Sequence, residues 1–210
     1  MINTFSSYDN NYDVLFICFA GRASGGFEWN NLTKALKIKK LLLHDTKDHW
    51  YLFGMNGNNF QSGVNEVSSF LQQEIKKANI KKVITVGSSM GAYAALVYGC
   101  LLGVSNILAI SPMTNLESRK DAMQDVEIKH VPGYKDTGLL MDMLPVIQGQ
   151  HFTADLHCGD YQPDIEAAKS IKNKFTIHYG CKDHYCTSWL AKNNKLIKML
   201  ESSLSGADRI

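Results

Sequence analysis

Several features that would place a protein in a membrane, outside the cell or on nucleic acid are missing from this sequence. No apolar run approaches the roughly 20 residues that a membrane-spanning helix needs. The polar N-terminus also lacks the pattern of a signal peptide. The formal net charge is only +2 and the lysines are dispersed, so no basic patch suits nucleic acid. We therefore expect no membrane span and no nucleic-acid partner.

The cysteines of the sequence also lack the pattern of a disulfide framework. There are five, an odd number, and several fall inside predicted strands. Disulfide frameworks use even sets of cysteines, whereas free thiols are typical of a reducing compartment, so we expect a cytoplasmic protein. Repeats and low-complexity tracts are absent as well. With 45% hydrophobic residues, the 210-residue chain predicts one domain over 1–210 with a sizeable core.

What the sequence does contain is an alternation of short apolar runs with helical patterns. The predicted strands are 13–20, 40–45, 83–86, 106–111, 152–159 and 174–180, and the helices include 27–36, 60–78, 165–171 and 186–202. Residues 1–12 are polar and resemble a loose lead-in, and 112–150 interrupt the alternation as a cap or insert. The pattern predicts an α/β fold, a doubly wound, mainly parallel six-stranded sheet flanked by helices.

One stretch carries most of the chemical information. The strand at 83–86 runs into Gly-Ser-Ser-Met-Gly at 87–91 and then into an alanine-rich helix. This is the G-x-S-x-G pattern, in which a serine on a sharp strand-to-helix turn has a strained backbone and an exposed hydroxyl. A chance match in a Gly/Ser-rich turn is the alternative, but the flanking strand and helix favour a nucleophile at Ser89.

An activated serine needs donors for the oxyanion that develops on the substrate. The backbone N–H of Met90, the residue after the nucleophile, is the first candidate. The second is the N–H of Arg22 or Ala23, in the glycine-rich loop 21–26 that follows the first strand. If the first and third strands are neighbours where the strand order reverses, this loop and the serine turn meet there.

The base and the acid are expected in the order Ser, acid, His along the chain. His184 lies in the loop after the last predicted strand, whereas His157 and His178 fall inside strands. We therefore predict His184 as the base. The acid should follow the fifth strand, where Asp160 leaves the strand directly and Asp164 stands at the start of a helix, a position typical of an N-cap. We favour Asp160, with Asp164 and Asp183 left as alternatives.

These residues resemble the α/β-hydrolase superfamily. The resemblance covers about 13–200 and rests on the motif at 87–91, the loop at 21–26, Asp160 or Asp164, and His184. It implies a serine nucleophile that forms an acyl-enzyme. It also implies a minimal version of the fold, without the antiparallel strands that often precede this core.

A second, narrower similarity concerns an aromatic loop. Asp45 followed by Trp50, Tyr51 and Gly54 is similar to a segment of small bacterial α/β-hydrolase-like proteins, including the acetyltransferase-like component of accessory secretion systems. It implies acyl transfer involving a glycan or related polar acceptor. We place Trp50 and Tyr51 near the substrate with Asp45, because aromatic faces stack on sugars or acyl chains. The alternative is that the aromatic residues pack into the core.

The sequence therefore predicts a serine hydrolase that cleaves an ester or thioester of a small-molecule or glycan substrate through an acyl-enzyme. This chemistry needs no metal or organic cofactor, and the spacing of Cys181 and Cys186 is too loose for a metal site. An acyltransferase with the same residues and a catalytically inactive binding module are the two alternatives.

Overall fold

The computed structural model describes residues 1–8, 11–58, 60–104, 106–114, 116 and 152–205. Its strands are β1 Ile2–Ser7, β2 Val14–Phe19, β3 Lys39–Asp45, β4 Lys82–Ser88, β5 Asn106–Ile110, β6 Ala154–Gly159 and β7 Phe175–His178. Its helices are α1 Trp29–Leu32, α2 Phe60–Ala78, α3 Met90–Leu102, α4 Gln162–Ser170, α5 Cys186–Lys192 and α6 Leu196–Ser205. The prediction of an insert at 112–150 falls mostly outside the described residues.

The described strands form one seven-stranded sheet in the order β1-β3-β2-β4-β5-β6-β7. All neighbouring pairs from β3 to β7 are parallel, so the prediction of a mainly parallel α/β sheet is confirmed. The predicted number of strands was wrong by one. Instead of a loose lead-in, the N-terminus forms β1, which pairs antiparallel with β3 from Ile2 opposite Asp45 to Ser7 opposite Lys40.

Helices and loops cover both faces of the sheet. In β2, Leu15, Ile17 and Phe19 pack into one hydrophobic cluster, while Phe16 and Cys18 pack into a second cluster on the opposite face. All five side chains are fully buried. Such burial on both faces explains the near-continuous apolar runs of the central strands.

The strand order reverses at β2, which lies between β3 and β4. The first and third predicted strands, β2 and β4, are thus neighbours, from Val14 opposite Lys82 to Phe19 opposite Gly87. The loops that follow these two strands therefore leave the same edge of the sheet side by side. This crevice is where doubly wound sheets bind ligands.

Three predicted helices differ from the observed ones. The helix expected over 165–171 begins three residues earlier, as α4 Gln162–Ser170. The helix expected over 27–36 is a single turn, α1. The last helix is interrupted between α5 and α6, where Asn194 has a left-handed φ of 55°. Helix α2 has the predicted bounds, with Val67 and Leu71 buried against the core. Among the described helices, none combines the length and the apolar character that crossing a bilayer demands.

Candidate active site

The turn between β4 and α3 holds Ser89 in a strained conformation. Its φ and ψ are 52° and −117°, an unfavourable region for a residue with a side chain. The flanking glycines permit the turn. A Cβ on Gly87 would collide with the backbone of Gly91, and a Cβ on Gly91 would collide with the carbonyl of Phe19. The motif therefore sets the backbone path that presents the Ser89 hydroxyl.

A continuous chain of hydrogen bonds joins Ser89 to His184 and Asp164. His184 Nε2 lies 2.6 Å from Ser89 Oγ, and its Nδ1 lies 2.8 and 2.9 Å from the two carboxylate oxygens of Asp164. An ionised carboxylate can only accept, so the hydrogen belongs on Nδ1 and Nε2 accepts from the Ser89 hydroxyl. This tautomer leaves the imidazole able to take the proton of Ser89.

The structure brings Asp164, and not Asp160, to the imidazole. Asp164 lies in the first turn of α4 and its side chain is fully buried, while Asp160 is exposed at the end of β6. The expectation that favoured Asp160 therefore needs correction. The alternative Asp183 accepts instead from the backbone N–H of Tyr185. Helix α4 begins after Tyr161, so Asp164 is not the N-cap residue that its position suggested.

The two candidates for the second oxyanion donor differ in their contacts. The N–H of Ala23 donates to Asp48 Oδ1 at 3.2 Å, and Asp48 also lies 3.8 Å from Arg22 Nε. The Ala23 amide thus bonds a carboxylate of the loop that follows β3. Arg22 and Ala23 both line the same cavity as Ser89, and Met90 lies at the N-terminus of α3.

Sequence reasoning missed Glu28, which ties the glycine loop to the nucleophile strand. Its carboxylate accepts from Gly21 N–H at 2.8 Å and from the Ser88 hydroxyl at 3.2 Å. Burial raises the pKa of Glu28, and these two hydrogen bonds oppose the shift. A lone glutamate beside a glycine-rich loop carries no periodic or motif signal, so only the fold reveals this contact.

Glu28 gives a pH-dependent prediction for Glu28→Gln. Because the folded-state pKa is raised, ionising Glu28 costs stability as the pH rises through its titration. Glutamine does not titrate, and its oxygen still accepts from Gly21. We expect the free energy of unfolding of the variant, relative to wild type, to rise as the pH increases from about 4 through the titration of Glu28, by about 1.4 kcal/mol per unit of pKa shift. Urea unfolding at several pH values measures this difference, and a pH-independent difference would contradict it.

A cavity of about 630 Å³ opens beside Ser89. Its wall consists of residues 21–24, Glu28, Asp48, Trp50, Ser88, Ser89, Met113, His184, Tyr185, Thr187 and Ser188. The glycine loop and the serine turn thus meet at one cavity, as the sequence predicted. Carboxylates, hydroxyls and one guanidinium line this wall beside the apolar surfaces of Trp50 and Met113, so the cavity offers both polar and apolar contacts.

Of the three residues predicted to lie near the substrate, one lines the cavity. Trp50 lines the wall, and its indole Nε1 is buried without a hydrogen-bond partner among the described residues. Tyr51 instead lies in the core, where its hydroxyl is 2.9 Å from the carbonyl of Ala20. Asp45 is also buried and accepts from Tyr51 N–H at 2.9 Å. Tyr51 and Asp45 thus hold the loop in place and do not line the cavity.

Comparison with known proteins adds one relative by sequence. No model of a known protein family matches the chain. An accessory Sec system protein of Staphylococcus aureus is 27% identical over 113 residues, which cover 52% of this chain and 21% of that protein. The match therefore spans about a fifth of the relative's length.

Solved structures match over nearly the whole chain. The capsule O-acetyltransferase of Neisseria meningitidis serogroup A gives a TM-score of 0.69 at 12% identity, covering 98% of this chain and 90% of that enzyme. The Gap123 glycosylation-associated complex of Streptococcus agalactiae gives 0.70 at 17% identity, covering 97% of this chain and 44% of that one. Serine hydrolase FphF of Staphylococcus aureus and a lipase-esterase related protein of Clostridium acetobutylicum also match.

The chain has the α/β-hydrolase fold. In this fold the serine of G-x-S-x-G follows a central strand, as Ser89 follows β4. The chain order Ser89, Asp164, His184 is also the order that α/β-hydrolases use for their catalytic residues. The sequence analysis expected no antiparallel strand before this core, but the structure has one, β1, at the edge of the sheet.

Proposed function

We propose that this protein is a serine hydrolase that cleaves a carboxylic ester or thioester through an acyl-enzyme on Ser89. The hydrogen-bonded chain from Ser89 through His184 to Asp164 is the observation that carries the proposal. His184 takes the Ser89 proton during attack and returns it to the leaving group. Asp164 holds the imidazole in the required tautomer and stabilises the imidazolium that forms.

The oxyanion is stabilised by backbone amides. When Ser89 Oγ attacks the substrate carbonyl, negative charge develops on the carbonyl oxygen beside the N-terminus of α3. The N–H of Met90 and an N–H of the glycine loop, from Arg22 or Ala23, are the proposed donors, and the dipole of α3 adds a favourable field. Water then attacks the acyl-enzyme, with His184 as the base, and releases the acid and free Ser89.

A second candidate is O-acyl transfer, in which a hydroxyl of a glycan or other acceptor replaces water. The fold shared with a capsule O-acetyltransferase and the sequence similarity to an accessory Sec system protein favour it. The unpartnered indole N–H of Trp50 fits this reading, since it could donate to an acceptor oxygen in the cavity. Hydrolysis and transfer share Ser89, His184 and Asp164 up to the acyl-enzyme.

Intact-mass spectrometry with a small fluorophosphonate tests the proposal. We expect a single adduct on wild type and on Ser88→Ala, and none on Ser89→Ala, because the imidazole bonds the hydroxyl of Ser89 whereas the hydroxyl of Ser88 bonds Glu28. Ser88→Ala is the matched control, since it removes the adjacent hydroxyl. An unlabelled wild type that folds normally would favour the inactive binding module, and labelling of Ser89→Ala would remove Ser89 from the mechanism.

Acceptor dependence separates the two candidates. With an acyl donor that labels Ser89, a transferase forms less free acid when a suitable sugar is added and forms acylated sugar in its place. A hydrolase forms free acid at a rate that the sugar does not change.

The five buried cysteines are free, which supports the proposed cytoplasmic location.

A further inference from the structure

A second cavity lies away from Ser89, at the β7 edge of the sheet. It has a volume of about 370 Å³ and shares no lining residue with the first cavity. One face of β6 and β7 forms its floor, with His157 and His178 side by side, and the start of α6 forms its other wall. The volume is within the usual range for small-molecule sites.

The lining of this cavity is strongly basic. Lys174, Lys195 and Lys198 converge on it from two different parts of the chain. Within the part of the chain that the structure describes, none of the three forms an ion pair with a carboxylate. The single lining carboxylate, Asp155, accepts from the side-chain amide of Asn106 at 3.2 Å. Three cations facing one carboxylate give the cavity a positive potential that favours anions.

The two histidines form a hydrogen-bonded pair in the floor. His157 Nδ1 lies 3.1 Å from His178 Nε2, with the ring planes 22° apart. In the neutral pair, one ring donates to the other, so only one of the two outward nitrogens carries a hydrogen. One added proton would put an N–H on both outward nitrogens. The pair would then offer two donors and a positive charge.

The surroundings of the pair keep it neutral when the cavity is empty. Burial, and then His178, lower the pKa of His157 to about 4, while Asp155 opposes and Lys174 adds to the shift. Burial and Lys195 lower the pKa of His178. A bound anion would offset the repulsion from the lysines, so its binding should draw a proton onto the pair.

We propose that this cavity binds a small molecule through a phosphoryl group, held by Lys174, Lys195, Lys198 and the outward N–H groups of the His157–His178 pair. A ligand group with two negative charges balances three ammonium charges better than a ligand carboxylate with one. Charge-assisted hydrogen bonds to phosphate oxygens are also stronger than hydrogen bonds between neutral groups. The site is independent of the chemistry at Ser89.

The test is a titration of the histidine ring signals by NMR at constant ionic strength. The probes are inorganic phosphate and sulfate, with chloride as the reference anion. We expect saturable shifts of the His157 and His178 signals with both dianions. Sulfate keeps its charge across the range, so its affinity should rise as the pH falls toward about 4, the pKa of His157 in the empty cavity. If one proton is taken up on binding, the affinity should rise by up to about tenfold per pH unit.

Matched variants localise the site. Lys174→Gln combined with Lys198→Gln should weaken sulfate and phosphate binding by about tenfold or more. Lys192→Gln is the control, because Lys192 is exposed on α5 outside the cavity lining. Histidine signals that stay unchanged up to tens of millimolar sulfate would overturn the proposal. So would equal weakening by the control, which would indicate a nonspecific charge effect.

Discussion

Ser89→Ala and His184→Ala are each expected to lower kcat for an activated ester by at least about 10³-fold. Ser89 forms the covalent bond in the proposed reaction, and His184 takes its proton across a 2.6 Å hydrogen bond. Because the two act as one unit, the double variant should be no slower than the worse single variant. Steady-state rates with a chromogenic ester measure all three.

Ser188→Ala is the control for this series. Ser188 lines the same cavity but lies outside the hydrogen-bonded chain, so its loss should leave kcat close to wild type. If either Ser89→Ala or His184→Ala retained wild-type turnover, that residue would have no place in the mechanism. Additive losses in the double variant would show that the two residues act separately.

Asp164→Asn is expected to lower kcat by about 10⁴-fold, the loss seen when asparagine replaces the acid of a serine protease triad. Asparagine preserves the volume, but its NH₂ group favours a tautomer with the hydrogen on Nε2. His184 could then no longer accept the Ser89 proton. Fluorophosphonate labelling of Ser89 should slow as well, since labelling needs the same base.

Asp160→Asn provides the matched comparison. Asp160 stands four positions earlier, carries the same charge and is exposed, so its kcat should stay close to wild type. Circular dichroism of both variants checks that the buried substitution has not unfolded the chain. A large loss in Asp160→Asn with full activity in Asp164→Asn would reverse the assignment of the acid.

Local chain features mark Ser89 as the candidate nucleophile, while the choice between the candidate acids needed the fold. Ser89 is set by five consecutive residues and their flanking elements. Asp160 and Asp164 are separated in the sequence by only about the length of one helical turn. Which of them meets His184 depends on how α4 leaves β6 and on the path of the loop after β7. Helix α4 and the loop after β7 are separate in the sequence, and only the folded structure brings them together.

Other differences between the sequence predictions and the structure have similar causes. Strand β1 is polar because it lies at the edge of the sheet with most of its side chains exposed, so no apolar run marks it. Tyr51 and Trp50 are adjacent in sequence and both have left-handed φ values, yet one enters the core and the other faces the cavity. Composition cannot separate two neighbouring aromatics whose directions depend on the backbone between them.

The distance along the chain between Ser89 and His184 has a consequence for the newly made protein. The two residues are 95 positions apart. At about 5–20 residues per second, a ribosome needs roughly 5–20 s to add the base after the nucleophile. During that interval the nascent chain carries a serine without its base. The proposed activity therefore requires that β6, β7 and the loop that follows have been synthesised and joined to the sheet.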